Sequence, residues 1–273
     1  MADTTLIAWT DRTANFWMGC AKVSAGCKNC YAETLTKNRM GLDVWGPATT
    51  TRRQPVKSIW SNLRKWESAA RAGSVGVMGP GAPLLVFTGS LMDWAEDHPD
   101  AEAIRPEMWA SIRAAPDLHF QLLTKRPERI RALLPADWGD GWPNVWLGTS
   151  IEDLRVAERA DHLRTIPAVV RFISYEPALG PLDDLDLTGI DWLIYGGESG
   201  PGFRGHDLEW PRAMKKKCEA SSVAFFYKQS AAYRTEMGTT LDGETMRAFP
   251  VPRQSVRTRA GLRGCAARRR EPV

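Results

Sequence analysis

The chain has 273 residues, 43% hydrophobic and 25% charged, which suits a globular protein with a full core. No run approaches the roughly 18 apolar residues of a membrane span, and no charged-then-apolar leader is seen, so a cytoplasmic protein without a membrane partner is expected. The formal charge of +4 is uneven: seven arginines against Glu271 alone fall between Arg253 and Val273, and the preceding part is close to neutral.

The first notable stretch in chain order is "FWMGCAKVSAGCKNCYAETL", Phe16 to Leu35, which holds Cys20, Cys27 and Cys30 in the spacing C-x6-C-x2-C. An odd trio in a long chain does not suit a disulfide framework and points to reduced thiols. "YAETLTKNRM" after it reads as a helix, and "KSIWSNLRKWESAAR" as a second one with an exposed character. The Gly/Pro-rich "RAGSVGVMGPGAP", Arg71 to Pro83, reads as a loop.

Six near-continuous apolar runs follow: "LLVFTG" from Leu84, "HFQLLT" from His119, "NVWLGTS" from Asn144, "VVRFIS" from Val169, "DWLIYGG" from Asp191 and "VAFFYKQ" from Val223. Such runs mark strands buried on both faces of a parallel sheet. Between them lie helical patterns: "PEMWASIRAA" opened by Pro106, "PERIRALL" opened by Pro127, "IEDLRVAERADHLRTI", and "LEWPRAMKKKCEA" with Cys218 in its core face. The alternation predicts an α/β fold with mostly parallel strands. A partial TIM-like (β/α) barrel and an open doubly wound sheet both fit it.

Polar residues crowd the carboxyl ends of these strands: Ser90 and Asp93, Lys125 and Arg126, Ser150 and Glu152, Ser174 and Glu176, Gly197 and Glu198, Lys228 and Gln229. Parallel α/β folds bind ligands on that face, so a site is expected there. "GGESGPG" is not a G-x-G-x-x-G fingerprint and lies too late for a first βαβ unit, which argues against a phosphate loop. The twelve tryptophans, among them Trp45, Trp60, Trp66, Trp94, Trp138 and Trp142, suit core filling better than base stacking.

Three close thiolates suit zinc or an iron–sulfur cluster. Zinc would have to borrow a distant fourth ligand, since the nearest histidine is His98. A 4Fe-4S cluster on three cysteines leaves one iron open to another molecule. Gly26 is expected to allow the chain reversal before Cys27.

The motifs "MGCAKVSAGCKNCYAE", "LLTKRPER", "NVWLGTSIED", "RFISYEPALGPL", "WLIYGGESGPGFRGHDLEWPRAMKKKCEASSVAFFYKQ" and "LDGETMRAFP" together resemble a phage-associated three-Cys-motif family of unknown function. That family is in turn similar to radical SAM enzymes. Here the first cysteine interval is three residues longer than the common C-x3-C-x2-C. Asn29 stands where an aromatic usually precedes the last cysteine, and Tyr31 follows it.

The resemblance implies a radical SAM-like partial barrel over residues 1–252 with Cys20, Cys27 and Cys30 holding the cluster. It further implies reductive cleavage of S-adenosylmethionine, giving a 5′-deoxyadenosyl radical that abstracts hydrogen from an unknown substrate. Asp93, beside Ser90, would take the methionine amino group, and Ser150, Glu152 and Glu176 the ribose. Gly196 and Gly197, followed by Glu198, would let the backbone approach the cofactor. Lys125, Arg126 and Lys228 would meet an anionic substrate or the cofactor carboxylate. An electron donor such as flavodoxin or ferredoxin is implied as a partner.

The tail from Arg253 to Val273, including Cys265, is read as a basic, disordered extension that can bind nucleic acid. The alternative to an enzyme is a non-catalytic iron–sulfur or zinc protein that binds nucleic acid. Removal of the chain after Pro252 is expected to weaken DNA or RNA binding and flatten its salt dependence in filter binding. Unchanged binding would discard a role for the tail.

Overall fold

The computed structural model describes residues 5–253. Strands β1 (Arg12–Ala14), β4 (Leu84–Thr88), β5 (Leu118–Thr124), β6 (Val145–Ser150), β7 (Arg171–Tyr175), β8 (Trp192–Gly196) and β9 (Ala224–Gln229) form one sheet. Two short strands, β2 (Trp17–Met18) and β3 (Gln54–Pro55), pair antiparallel beside it. The helices are α1 (Tyr31–Met40), α2 (Ile59–Arg71), α3 (Pro99–Arg113), α4 (Ile130–Leu133), α5 (Arg159–Arg164) and α6 (Glu209–Ala220).

Spatial order in the sheet is β1-β4-β5-β6-β7-β8-β9, and every pairing is parallel. Neighbours therefore follow chain order without the reversal of a doubly wound sheet, and the sheet curls into a half-barrel flanked by helices. That decides between the two architectures the alternation allowed.

Both faces of the sheet are buried, for different reasons. One face, with Val86, Phe120, Leu147, Ile173, Leu193 and Tyr227, packs against the helices. The other, the concave inner face, is plugged by Trp9, Leu85, Phe87, Trp146, Phe172, Trp192 and Phe226. Trp192 meets Trp9, Trp146 and Phe226 edge-on at 6.0–6.1 Å between ring centroids. Gly148, opposite Phe172 in register, makes room for this ring, because a Cβ there would lie 2.3 Å from it.

The open edge of β9 is covered by the chain beyond it, with Phe226 bridged antiparallel to Arg247 and the Tyr227 N–H donating to Met246 O at 2.8 Å. A covered edge offers no template for intermolecular pairing.

Several local expectations are corrected. Helix α3 starts at Pro99 with His98 as its cap, so Pro106 sits inside it; its missing N–H affects only the exposed Glu102 turn. "IEDLRVAERADHLRTI" forms only a turn at Leu154–Val156, nucleated by Asp153 accepting from the Arg155 N–H, and then α5. Strand β7 begins at Arg171 rather than Val169. Helix α2 is not an exposed helix: Ile59, Leu63 and Trp66 bury one stripe. Strand β1 was missed because its three residues carry no apolar run.

The tryptophans are mostly core: Trp66, Trp94 and Trp138 are buried, and Trp60 and Trp142 pack on the same core. Cys218 is buried, as expected, and burial pushes its thiol up to about 12. Of the predicted tail only Arg253 falls within the described residues, where it is tied to the body by donating to Asp191 Oδ1 at 2.8 Å. Residues 254–273, with Cys265, lie outside them. Among the described residues no helix is long and apolar enough to cross a membrane.

Gly148→Ala is expected to destabilise the fold by about 1–3 kcal/mol by overpacking the inner face. Phe172→Leu in the same chain should recover part of the loss. Urea unfolding of the two variants checks this.

Candidate functional site

A cavity of about 430 Å³ opens at the carboxyl ends of the strands, and the end of every strand from β4 to β9 contributes to its wall. Cys20, Cys27 and Cys30 all line it, together with Ser90, Asp93, Ser150, Glu176 and Glu198. Thus most of the residues predicted from strand ends do converge on one space. Trp9 and Phe87 carry the wall down to the aromatic plug of the inner face.

The cysteine loop runs from Cys20 to Cys30, the cap residue just before α1. Three buried carboxylates from different strand ends hold it. Glu96, beyond β4, accepts from the Ala21 N–H at 2.7 Å. Glu152, beyond β6, accepts from the Ser24 hydroxyl at 2.8 Å. Glu198, beyond β8, accepts from the Asn29 amide at 3.0 Å.

Each of these carboxylates is backed by a cation. Arg53 donates to both Glu96 oxygens at 2.7 and 2.8 Å with both side chains buried. Arg159 donates to Glu152 at 3.0 Å, and Arg204 pairs with Glu198 and also donates to Ala25 O at 3.1 Å. Burial opposes ionisation of Glu198, yet Arg204 and Asn29 together bring its carboxyl below the usual range. Removing one partner from such a buried pair leaves an uncompensated charge, which costs about 3–5 kcal/mol.

Three of the predicted residues are engaged by the protein itself. Glu152 turns its oxygens to Ser24 and Arg159 rather than to an open ribose-sized space, and Glu198 turns its own to Asn29 and Arg204. Asp93 accepts four hydrogen bonds, from the Ala95 and Lys125 N–H groups, the Thr124 hydroxyl and Arg126, at 2.5–3.1 Å. Its capacity is filled by the protein.

Glycine roles also change. Gly26 has no positive φ; a Cβ there would stand 2.4 Å from Glu152 Oε1, so its absence lets the loop settle on that carboxylate. Gly196 leaves space for the Glu176 carboxylate, and Gly197 for the Ser230–Ala231 backbone, at 2.8 and 2.1 Å from the would-be Cβ atoms.

Groups facing the cavity with capacity to spare are fewer. Ser90 accepts from Asn15 at 2.7 Å and keeps its own proton to donate. Glu176 and Lys228 form a pair at 2.5 Å across the ends of β7 and β9. Lys125 is held loosely, 3.6 Å from Glu152. Tyr31 lines the cavity and donates to Ser90 O at 2.7 Å, while Asn29 serves the loop.

The three thiols are free, partly buried and flanked by Lys22, Lys125 and Arg126. Burial, with Asp93 and Glu96 close by, pushes the Cys20 thiol far above its ordinary range, and burial also raises Cys30. Among the described residues no three His, Cys, Asp or Glu side chains are grouped so as to hold a metal ion.

Sequence reasoning missed Ser24, Arg53, Glu96, Arg159 and Arg204; the signal of Glu96, Arg53 and Arg204 was a charge within a loop, Arg159 opens α5, and Ser24 carried no signal beyond its place between the cysteines.

The chain belongs to the family described as protein of unknown function DUF5131, whose model matches residues 4–250. No curated protein and no solved structure matches it.

Glu152→Gln, which keeps the side-chain volume but removes its charge, is expected to speed amide exchange several-fold across residues 20–30 while leaving β4 and β5 protected. Hydrogen exchange read by mass spectrometry checks this; equal protection in the loop would deny Glu152 its anchoring role.

Proposed function

We propose that this chain is a three-Cys-motif, radical SAM-like enzyme of a phage-associated family. In this reading Cys20, Cys27 and Cys30 hold a 4Fe-4S cluster, and S-adenosylmethionine binds beside it in the cavity. The observation that carries the reading is the convergence of all three cysteines on one cavity at the carboxyl ends of a singly wound parallel half-barrel. Ligands sit at that end of parallel α/β folds, so cofactor and substrate would share the space.

The donor set fits a cluster better than zinc. A zinc ion needs its ligands to meet around one atom, whereas each iron of a cluster takes its own thiolate. Lys22, Lys125 and Arg126 would offset the negative charge of such a group. When bound, the cluster supplies the electron that cleaves the sulfonium cofactor and so starts hydrogen abstraction.

The chain's own residues have simpler tasks. Arg126, Glu96, Glu152 and Glu198 fix the loop that presents the thiols. Ser90, Glu176, Lys228 and Lys125 remain to orient polar parts of cofactor or substrate. The apolar wall of Trp9, Phe87, Met92 and Leu123 keeps water from the centre. A nucleic acid or nucleotide is the substrate class this reading favours, and flavodoxin or ferredoxin the class of electron donor.

Anaerobic reconstitution should give about four irons per chain with matching sulfide. Reduction with dithionite in the presence of S-adenosylmethionine should then yield 5′-deoxyadenosine. Cys20→Ala, Cys27→Ala and Cys30→Ala should each lose the cluster, and Cys218→Ala, in the core, should keep it. Stoichiometric zinc, or a cluster that never cleaves the cofactor, would turn the protein into a metal-bearing nucleic-acid binder. Iron retained in any of the three loop variants would overturn the ligand assignment.

A further inference from the structure

One of the three thiols differs from the others. The Arg126 guanidinium, 9% exposed, donates from Nη1 to Cys20 Sγ at 3.5 Å and to Asp93 Oδ2 at 2.7 Å. Its Nη2 donates to Ala21 O at 2.8 Å and lies 3.8 Å from Glu96 Oε1. The Cys27 sulfur has the Ser24 hydroxyl at 3.8 Å, and Cys30 faces backbone N–H groups of α1. Among the described residues a cation donates directly to Cys20 alone.

The guanidinium has little freedom to move. Asp93 is pinned by Thr124, Ala95 and Lys125, and Glu96 by Arg53 and the Ala21 N–H. Arg53, Glu96, Arg126 and Asp93 thus form a buried row of alternating charge, and its inner cation, Arg126, is the one that donates to the sulfur. Such a row orients a group; it is more than is needed to close a loop.

Resting on the cluster reading above, we propose that Arg126 is a positioning residue that holds a charge-assisted N–H···S bond on Cys20 and thereby makes the cluster easier to reduce. Asp93 sets its orientation. An electron added from an outside one-electron donor increases the negative charge on the ligating sulfurs, and no bond is made or broken in that step. A fixed cationic donor on one of those sulfurs stabilises the reduced state more than the oxidised one. Asp93 therefore acts through Arg126, and Cys20 becomes the ligand through which the protein tunes the group.

The test uses the full chain, reconstituted anaerobically and titrated with dithionite while the reduced cluster is followed by electron paramagnetic resonance. Iron and sulfide content are measured first on the unmodified protein; no cluster there would overturn the functional reading and this inference with it, a failure separate from those below. Arg126→Met at full iron content is expected to make reduction tenfold less favourable, a midpoint about 59 mV more negative for one electron. Arg126→Lys, which keeps charge but not the fork, should recover part of the shift, and Asp93→Asn should give a smaller shift in the same direction. A full cluster in Arg126→Met with an unchanged midpoint would overturn the proposal. Should Arg126→Met fail to take up iron, Arg126→Lys and Asp93→Asn decide, and unchanged midpoints in both would overturn it equally.

Discussion

Three buried carboxylates, Glu96, Glu152 and Glu198, are the constraint on which the cavity depends. Each rises from a different strand end, takes a hydrogen bond from the cysteine loop and is backed by an arginine. An isolated buried carboxylate is costly, so each acid needs its cation and the loop's N–H or O–H donor at the same time. The result is a loop without regular structure that is nonetheless fixed at three points along its length. Gly26 is the local price of this arrangement, because any side chain there would displace Glu152.

The barrel supplies the spacing between those points. Because the strands follow one another in order, their ends lie side by side along a curved rim, and loops six strands apart in sequence share one mouth. The aromatic plug of Trp9, Trp146, Phe172, Trp192 and Phe226 closes the inner face below and leaves the space above it open. Packing and site are thus two levels of the same concave surface.

A division of labour follows among residues that look alike in the sequence. Asp93, Glu152 and Glu198 are occupied by protein donors, whereas Glu176, Lys228, Ser90 and Lys125 retain capacity toward the cavity. The cysteine loop is held in place by charge pairs of the protein itself rather than by regular secondary structure. The family match, to a model of unknown function over residues 4–250, leaves this chemistry as the main guide to activity.

Much of the fold was legible in the sequence because it is carried by local patterns. The six apolar runs became β4 to β9 because strands buried on both faces need continuous apolar side chains, and "YAETLTKNRM" became α1 in full. The same holds for the cysteine spacing and for the polar residues at strand ends, which fold topology gathers on one face. What the sequence did not carry was the partner of each charge. Glu152 and Glu176 both follow a strand and read alike, yet one faces Ser24 and Arg159 while the other faces Lys228. Glu96 and Arg53 are 43 residues apart, and Arg126 and Cys20 are 106 apart. Local propensity fixes which residues lie at a strand end, but the curvature of the sheet and the desolvation of each carboxylate decide which donors reach it. Only the tertiary structure contains those distances.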